Sequence, residues 1–139
     1  MSDLFSIFNV SGSALSAQSV RLNTVASNLA NAQVPSQTAE DTYRAKHPIF
    51  ETIFNELNPQ SGAASVRVNG IYEHQAEPII KYNPNHPLAN EEGYVFMPNI
   101  SVVEEMANMI SASRSYQNNV DVLNTSKQLL MRSLQMGQQ

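Results

Sequence analysis

The side chains that could do chemistry in this 139-residue chain are three histidines, twelve carboxylates and a scatter of serines. His74 lies between Glu73 and Glu77, which invites a search for a metal or acid/base site, but the segment reads as strand and turn. No second histidine falls four residues away to complete a zinc-binding helix. His47 and His86 each precede a proline and stand in no ligand or triad spacing, so a metal-dependent enzyme would need all three histidines to converge from distant segments. Glycines at 12, 62, 70, 93 and 137 contain no G-x-G pair that could cradle a phosphate. No serine sits in a G-x-S-x-G elbow. Cysteine is absent, which removes disulfides, thiolate metal sites and a cysteine nucleophile together. The expectation is a protein with no catalytic residue, no metal and no cofactor.

What remains to explain is an unusual polarity. Lys, Arg, Asp and Glu number 20, whereas Asn and Gln together number 25. The formal charge is −4 and the densest pair of cations is Arg44 with Lys46, which argues against a nucleic-acid surface built to neutralise many phosphates. The longest apolar run, Tyr94 to Met97, is four residues, against about 20 for a membrane-spanning helix. The first cation is Arg21 and Asp3 stands where a secretory signal would carry positive charge, so export, if it occurs, is expected to use another route.

Charge and proline divide the chain into three parts. The four cations and eight carboxylates of residues 31–101 carry the whole net charge, and all seven prolines lie between Pro35 and Pro98. Long helices are therefore permitted only at the two ends. At alternating four-three spacing the first end reads Leu4, Phe8, Ser11, Leu15, Gln18, Leu22, Val25, Leu29. The second reads Val102, Met106, Met109, Ser113, Tyr116, Val120, Leu123, Lys127, Leu130, Leu134. Both are coiled-coil seams, weakened at Ser11 and Gln18. Ser101 with Glu104 forms a capping box that starts the second helix, and Gly137 can stop it. Helices over 3–31 and 102–136 would run roughly 43 and 52 Å, longer than a compact domain of this size is wide. They must pack on each other or on other chains. Their remaining faces are Ser, Asn, Gln and Ala, which admit close neighbours without stripping water from charges.

The middle reads as β and turn. Val66 and Val68 alternate with polar residues, and Asn69-Gly70 shifts the phase to Ile71, which predicts a bulge or tight turn. Ile79 to Tyr82 and Tyr94 to Met97 are further strands, joined through the stiff loop Asn83-Pro84-Asn85-His86-Pro87. The fold class expected is α+β: terminal helices paired as a coiled-coil-like unit around a small β-rich region. The boundaries are 1–31 and 101–139 for a discontinuous helical domain and 32–100 for the β-rich part.

Three separated motifs carry a resemblance. Ala26-Ser27-Asn28-Leu29-Ala30-Asn31 resembles the N-terminal signature of bacterial flagellar rod and hook proteins. Met106 to Gln117 with Val122-Leu123-Asn124-Thr125 resembles the C-terminal helix of proximal-rod members of that family. His86-Pro87 with Glu92-Gly93-Tyr94-Val95 and Met97-Pro98-Asn99 is similar to their central region. Asn83-Pro84-Asn85 stands where the family more often has Asp-Pro-Gly, and Asn85 is expected to take the left-handed conformation of that glycine.

The resemblance implies a structural subunit of the flagellar basal-body rod. Such a subunit is exported by the flagellar type III apparatus without a cleaved signal and assembles into the proximal rod that crosses the periplasm and transmits torque. It also implies partners: rod subunits of the FlgB and FlgF types, the basal-body adaptor FliE and further copies of the chain, with no nucleic acid and no direct membrane span. The assembly seam expected from the heptads comprises Leu15, Leu22, Val25, Leu29, Met106, Met109, Tyr116, Val120, Leu123, Leu130 and Leu134. A soluble helical adaptor or export chaperone of a type III secretion system would show the same seams, but would form discrete oligomers.

Overall fold

A computed structural model of the chain describes residues 2–54 and 64–137, with side chains from Phe5 onward. In chain order it contains α1 (Ser2–Asn31), β1 (Lys46–Phe54), β2 (Ala64–Glu73), β3 (Ile79–Tyr82), β4 (Tyr94–Met97) and α2 (Val102–Met136). This is the α+β arrangement expected, with the helix limits within a residue of those read from the proline-free ends.

Ser101 is extended and its Oγ accepts from the Glu104 N–H at 3.4 Å, while Glu104 and Glu105 place negative charge against the positive end of the helix. At the other end the Gly137 N–H donates to the Ser133 carbonyl at 3.1 Å with φ −81°, so the stop does not use a left-handed glycine. The helices run antiparallel: Asn28 meets Glu105, and Arg21 Nη2 reaches Asn108 Oδ1 at 3.4 Å, so advancing along α2 means retreating along α1. From Met131 to Gly137 every residue is exposed, an overhang beyond the end of α1.

Small and polar side chains fill the centre of this contact. Ser11, Ala17, Thr24, Val25 and Asn28 are buried on α1; Glu105, Ala112 and Ser126 are buried on α2. With half-buried Asn119, the α2 residues form a row repeating every seven positions, the period of an under-wound helix that keeps one line on its partner. Short side chains let the backbones approach and push the leucines to the shoulders of the seam.

β1 and β2 form an antiparallel ribbon. Ile49 faces Gly70 and Phe50 faces Val68, which leaves Asn69 as the extra residue of a bulge, at the phase shift read from the sequence. β1 itself is not legible in the sequence: Ile49-Phe50 and Ile53-Phe54 are apolar in pairs and hide the period of two. The ribbon rests on α1, where the Val66 N–H donates to Ser13 Oγ at 3.1 Å.

β3 and β4 form a second two-stranded sheet in the places expected. The far edge of β4 is closed by Ser36, which exchanges two backbone hydrogen bonds with Phe96 at 2.8 and 3.0 Å. No non-glycine residue among those described has positive φ, which corrects the left-handed conformation expected for Asn85. The Asn83-Pro84-Asn85 turn is closed instead by the His86 N–H, which donates to the Asn83 carbonyl at 3.1 Å; the next turn is organised by Asn90, whose Oδ1 accepts from the N–H groups of Glu92 and Tyr94. Gly93 supplies the left-handed residue, at φ 83°.

Candidate assembly interface

Within one subunit, the tightest junction between helices and β region is Asn28, which is fully buried. Its Nδ2 donates to the Lys46 carbonyl at 2.9 Å and to Glu105 Oε2 at 3.0 Å. Its Oδ1 accepts from the Lys46 N–H at 2.9 Å and from the Tyr43 hydroxyl at 3.0 Å. All four hydrogen-bonding positions of one amide are used. They join α1, α2, the start of β1 and the segment before it. Ser27 Oγ lies 3.0 Å from the Tyr43 hydroxyl, and Asn31 Nδ2 donates to the Ser27 carbonyl, so three residues of the Ala26–Asn31 motif serve this junction. The motif is visible in the sequence; its partners Lys46 and Glu105, 18 and 77 residues away, carry no local signal.

The eleven seam positions divide by burial. Val25 is buried; Leu15, Leu22, Leu29, Met109, Val120, Leu123 and Leu130 are half-buried; Met106, Tyr116 and Leu134 are exposed. The heptads include Met106 but miss the further apolar row it belongs to. Val103, Met106 and Ile110, at helical spacing i, i+3 and i+7, lie on the side of α2 opposite Glu105 and Ala112 and are 79%, 53% and 55% exposed. Beside them Ala107, Ile110, Ser111, Arg114 and Ser115 line an open depression of about 410 Å³. α2 therefore carries an apolar row that no described residue of the subunit covers.

The histidines do not assemble a centre. The His47 and His74 rings sit edge to face with centroids 6.4 Å apart, while His86 stands in the β3–β4 loop, where its Nδ1 accepts from the Leu88 N–H. Among the described residues no three His, Asp or Glu side chains are grouped to hold a metal ion. No described helix is long and apolar enough to cross a membrane.

Comparison with known proteins places these features. The family described as "Flagella basal body rod protein" matches residues 8–35, which hold most of α1 and Asn28, and "Flagellar basal body rod FlgEFG protein C-terminal" matches residues 91–136, which hold β4 and α2. The FlgC flagellar basal-body rod protein of Escherichia coli O6:H1 is 49% identical over 137 residues, covering 97% of this chain and 98% of the relative. That of Salmonella typhimurium is 47% identical over 135 residues with the same coverage. That of Bacillus subtilis is 38% identical over 146 residues, covering 96% and 97%.

Proposed function

Since this chain belongs to the FlgC family of flagellar basal-body rod proteins and is a structural subunit of the rod, we propose how its surfaces build that rod. Residues 1–31 and 101–139 form the rod-core domain, residues 32–100 an outer region, and the uncovered side of α2 packs on neighbouring subunits. The observation that carries the reading is the second apolar row of α2. Val103, Met106 and Ile110 stay more than half exposed beside the described residues of the subunit, and covering apolar surface returns about 25 cal/mol per Å². The seam residues serve the same end from the other side: Leu15, Leu22, Val25, Leu29, Met109, Val120, Leu123 and Leu130 hold the helix pair, and Tyr116 and Leu134 extend from it toward neighbours, while Met106 belongs to the second row.

A contact that joins one face of a subunit to a different face of the next does not close on itself, so repetition yields a helical rod. Torque then passes through many shallow contacts. The neighbours are rod subunits of the FlgB and FlgF types, the adaptor FliE and further copies, and the site of action is the periplasmic rod, reached by type III export without a cleaved signal. Ile110→Asp tests this. Ile110 lies outside the helix pair, so the purified variant should keep wild-type helicity and unfolding midpoint, be exported normally, and give non-motile cells without rods. Wild-type swimming would refute the role of this face.

A further inference from the structure

Among the described residues both sheets of the outer region end in an open edge, and the two edges match each other. On β1, Ala45 accepts from the His74 N–H and Lys46 turns both its main-chain groups to Asn28. By the antiparallel alternation, His47, Ile49, Glu51 and Ile53 then face β2, while Phe50 and Thr52 direct N–H and C=O away from it. On β4, Phe96 turns its main-chain groups to Ser36, so Ile79 and Lys81 bond to β4, and Ile80 and Tyr82 direct theirs outward. Among the described residues nothing bonds to the main-chain groups of Phe50, Thr52, Ile80 or Tyr82. All four residues of β3 are exposed, with Ile79, Ile80 and Tyr82 at 52%, 61% and 64%. An apolar strand with a free edge is a template for another strand.

We propose that the β3 edge of one copy of this chain pairs antiparallel with the β1 edge of the next. Pairing outward residues with outward residues allows three antiparallel registers, which set Lys81 opposite Ile49, Glu51 or Ile53. The register through Glu51 is the one that pairs charge with charge. It places Ile80 against Thr52 and Tyr82 against Phe50 as hydrogen-bonded pairs, and Ile79 against Ile53. Glu51 already holds Arg67 at 2.7 Å across the ribbon on the same face, so Lys81 completes a row of alternating sign. On the other face Phe50 joins the edge-to-face pair Tyr82 and Tyr94, whose centroids are 5.2 Å apart. Two β3 edges pairing with each other through both outward residues would set Lys81 against Lys81, which disfavours a closed dimer. The β1-to-β3 contact joins different surfaces and propagates. It belongs to the outer region and adds a contact to the helical packing proposed above, on which it does not depend.

The chain has no cysteine, so Ile53→Cys and Ile79→Cys can be carried by separate copies, co-expressed as the cell's supply of this subunit. Oxidation of isolated basal bodies should give a covalent dimer that neither variant gives alone. Phe54→Cys with Ile79→Cys, on opposite faces in this register, should give none. Absence of the dimer between the Ile53→Cys and Ile79→Cys copies, or capture of the Ile79→Cys copy by a different protein, overturns the proposal. Thr52→Pro serves as a second variant, because the N–H it removes points outward and the β1–β2 ladder is left intact. Its circular dichroism should be unchanged and its swimming lost. Wild-type swimming by Thr52→Pro rejects the edge contact while leaving the helical reading to stand or fall with Ile110→Asp.

Discussion

Asn28 shows how much one residue of a short motif can carry. Replacing it by leucine, of similar length, would strand the Lys46 N–H, the Lys46 carbonyl and the buried Glu105 carboxylate. Each buried group left unpaired costs about 1–3 kcal/mol, so Asn28→Leu should lower unfolding stability by about 3 kcal/mol or more in urea denaturation. Glu105→Gln keeps an oxygen that accepts the same Asn28 N–H and should change stability by less than about 1 kcal/mol. A mild Asn28→Leu phenotype would contradict the role assigned to the junction. Gly93 is the second residue of this kind. An added Cβ would carry the strain of a left-handed residue, about 1–2 kcal/mol, and would lie 3.0 Å from Tyr82 Cε2. Gly93→Ala is therefore expected to weaken the Tyr82–Tyr94 pairing, read as a loss of near-ultraviolet dichroism with helicity retained. The sequence displays the Asn28 and Gly93 motifs but not why they matter, because hydrogen bonds spanning 18 and 77 residues leave no local pattern.

At the scale of elements, the helices are legible to within a residue because proline exclusion and the Ser101 cap act locally. The face they bury is less so. Heptad reading favours large apolar positions, whereas the contact centres on Ala17, Thr24, Asn28, Glu105, Ala112 and Ser126, where short side chains permit close approach. β1 escapes detection because it is exposed on both faces over Ile49–Phe54 and so lacks the alternation a half-buried strand imposes. The narrow, leucine-poor centre has a consequence for the isolated subunit. Amide exchange in dilute protein should be slowest around Asn28 and Glu105 and fast from Met131 to Gly137, where every residue of α2 is exposed. Uniform protection along α2 would contradict this. Leu123→Asp offers the matching contrast with Ile110→Asp: Leu123 is half-buried, so its replacement should lower the unfolding midpoint as well as block rods.

The whole molecule is short of a core. Among the described residues the buried apolar side chains are four alanines, two valines and Pro98, while Phe54, Ile80, Tyr82, Val103 and Met136 are each more than 60% exposed. So many exposed apolar side chains make a surface fit to be covered by neighbours. The neutral, amide-rich composition belongs to such a surface, since amides and small side chains can be covered from several directions without burying unpaired charge. The most direct test is a density map of an assembled basal body with this subunit traced. Val103, Met106 and Ile110 are expected to lie within about 4.5 Å of apolar side chains from a neighbouring chain. A map in which that side of α2 faces open solvent, with neighbours joined through other surfaces, would rule out this packing.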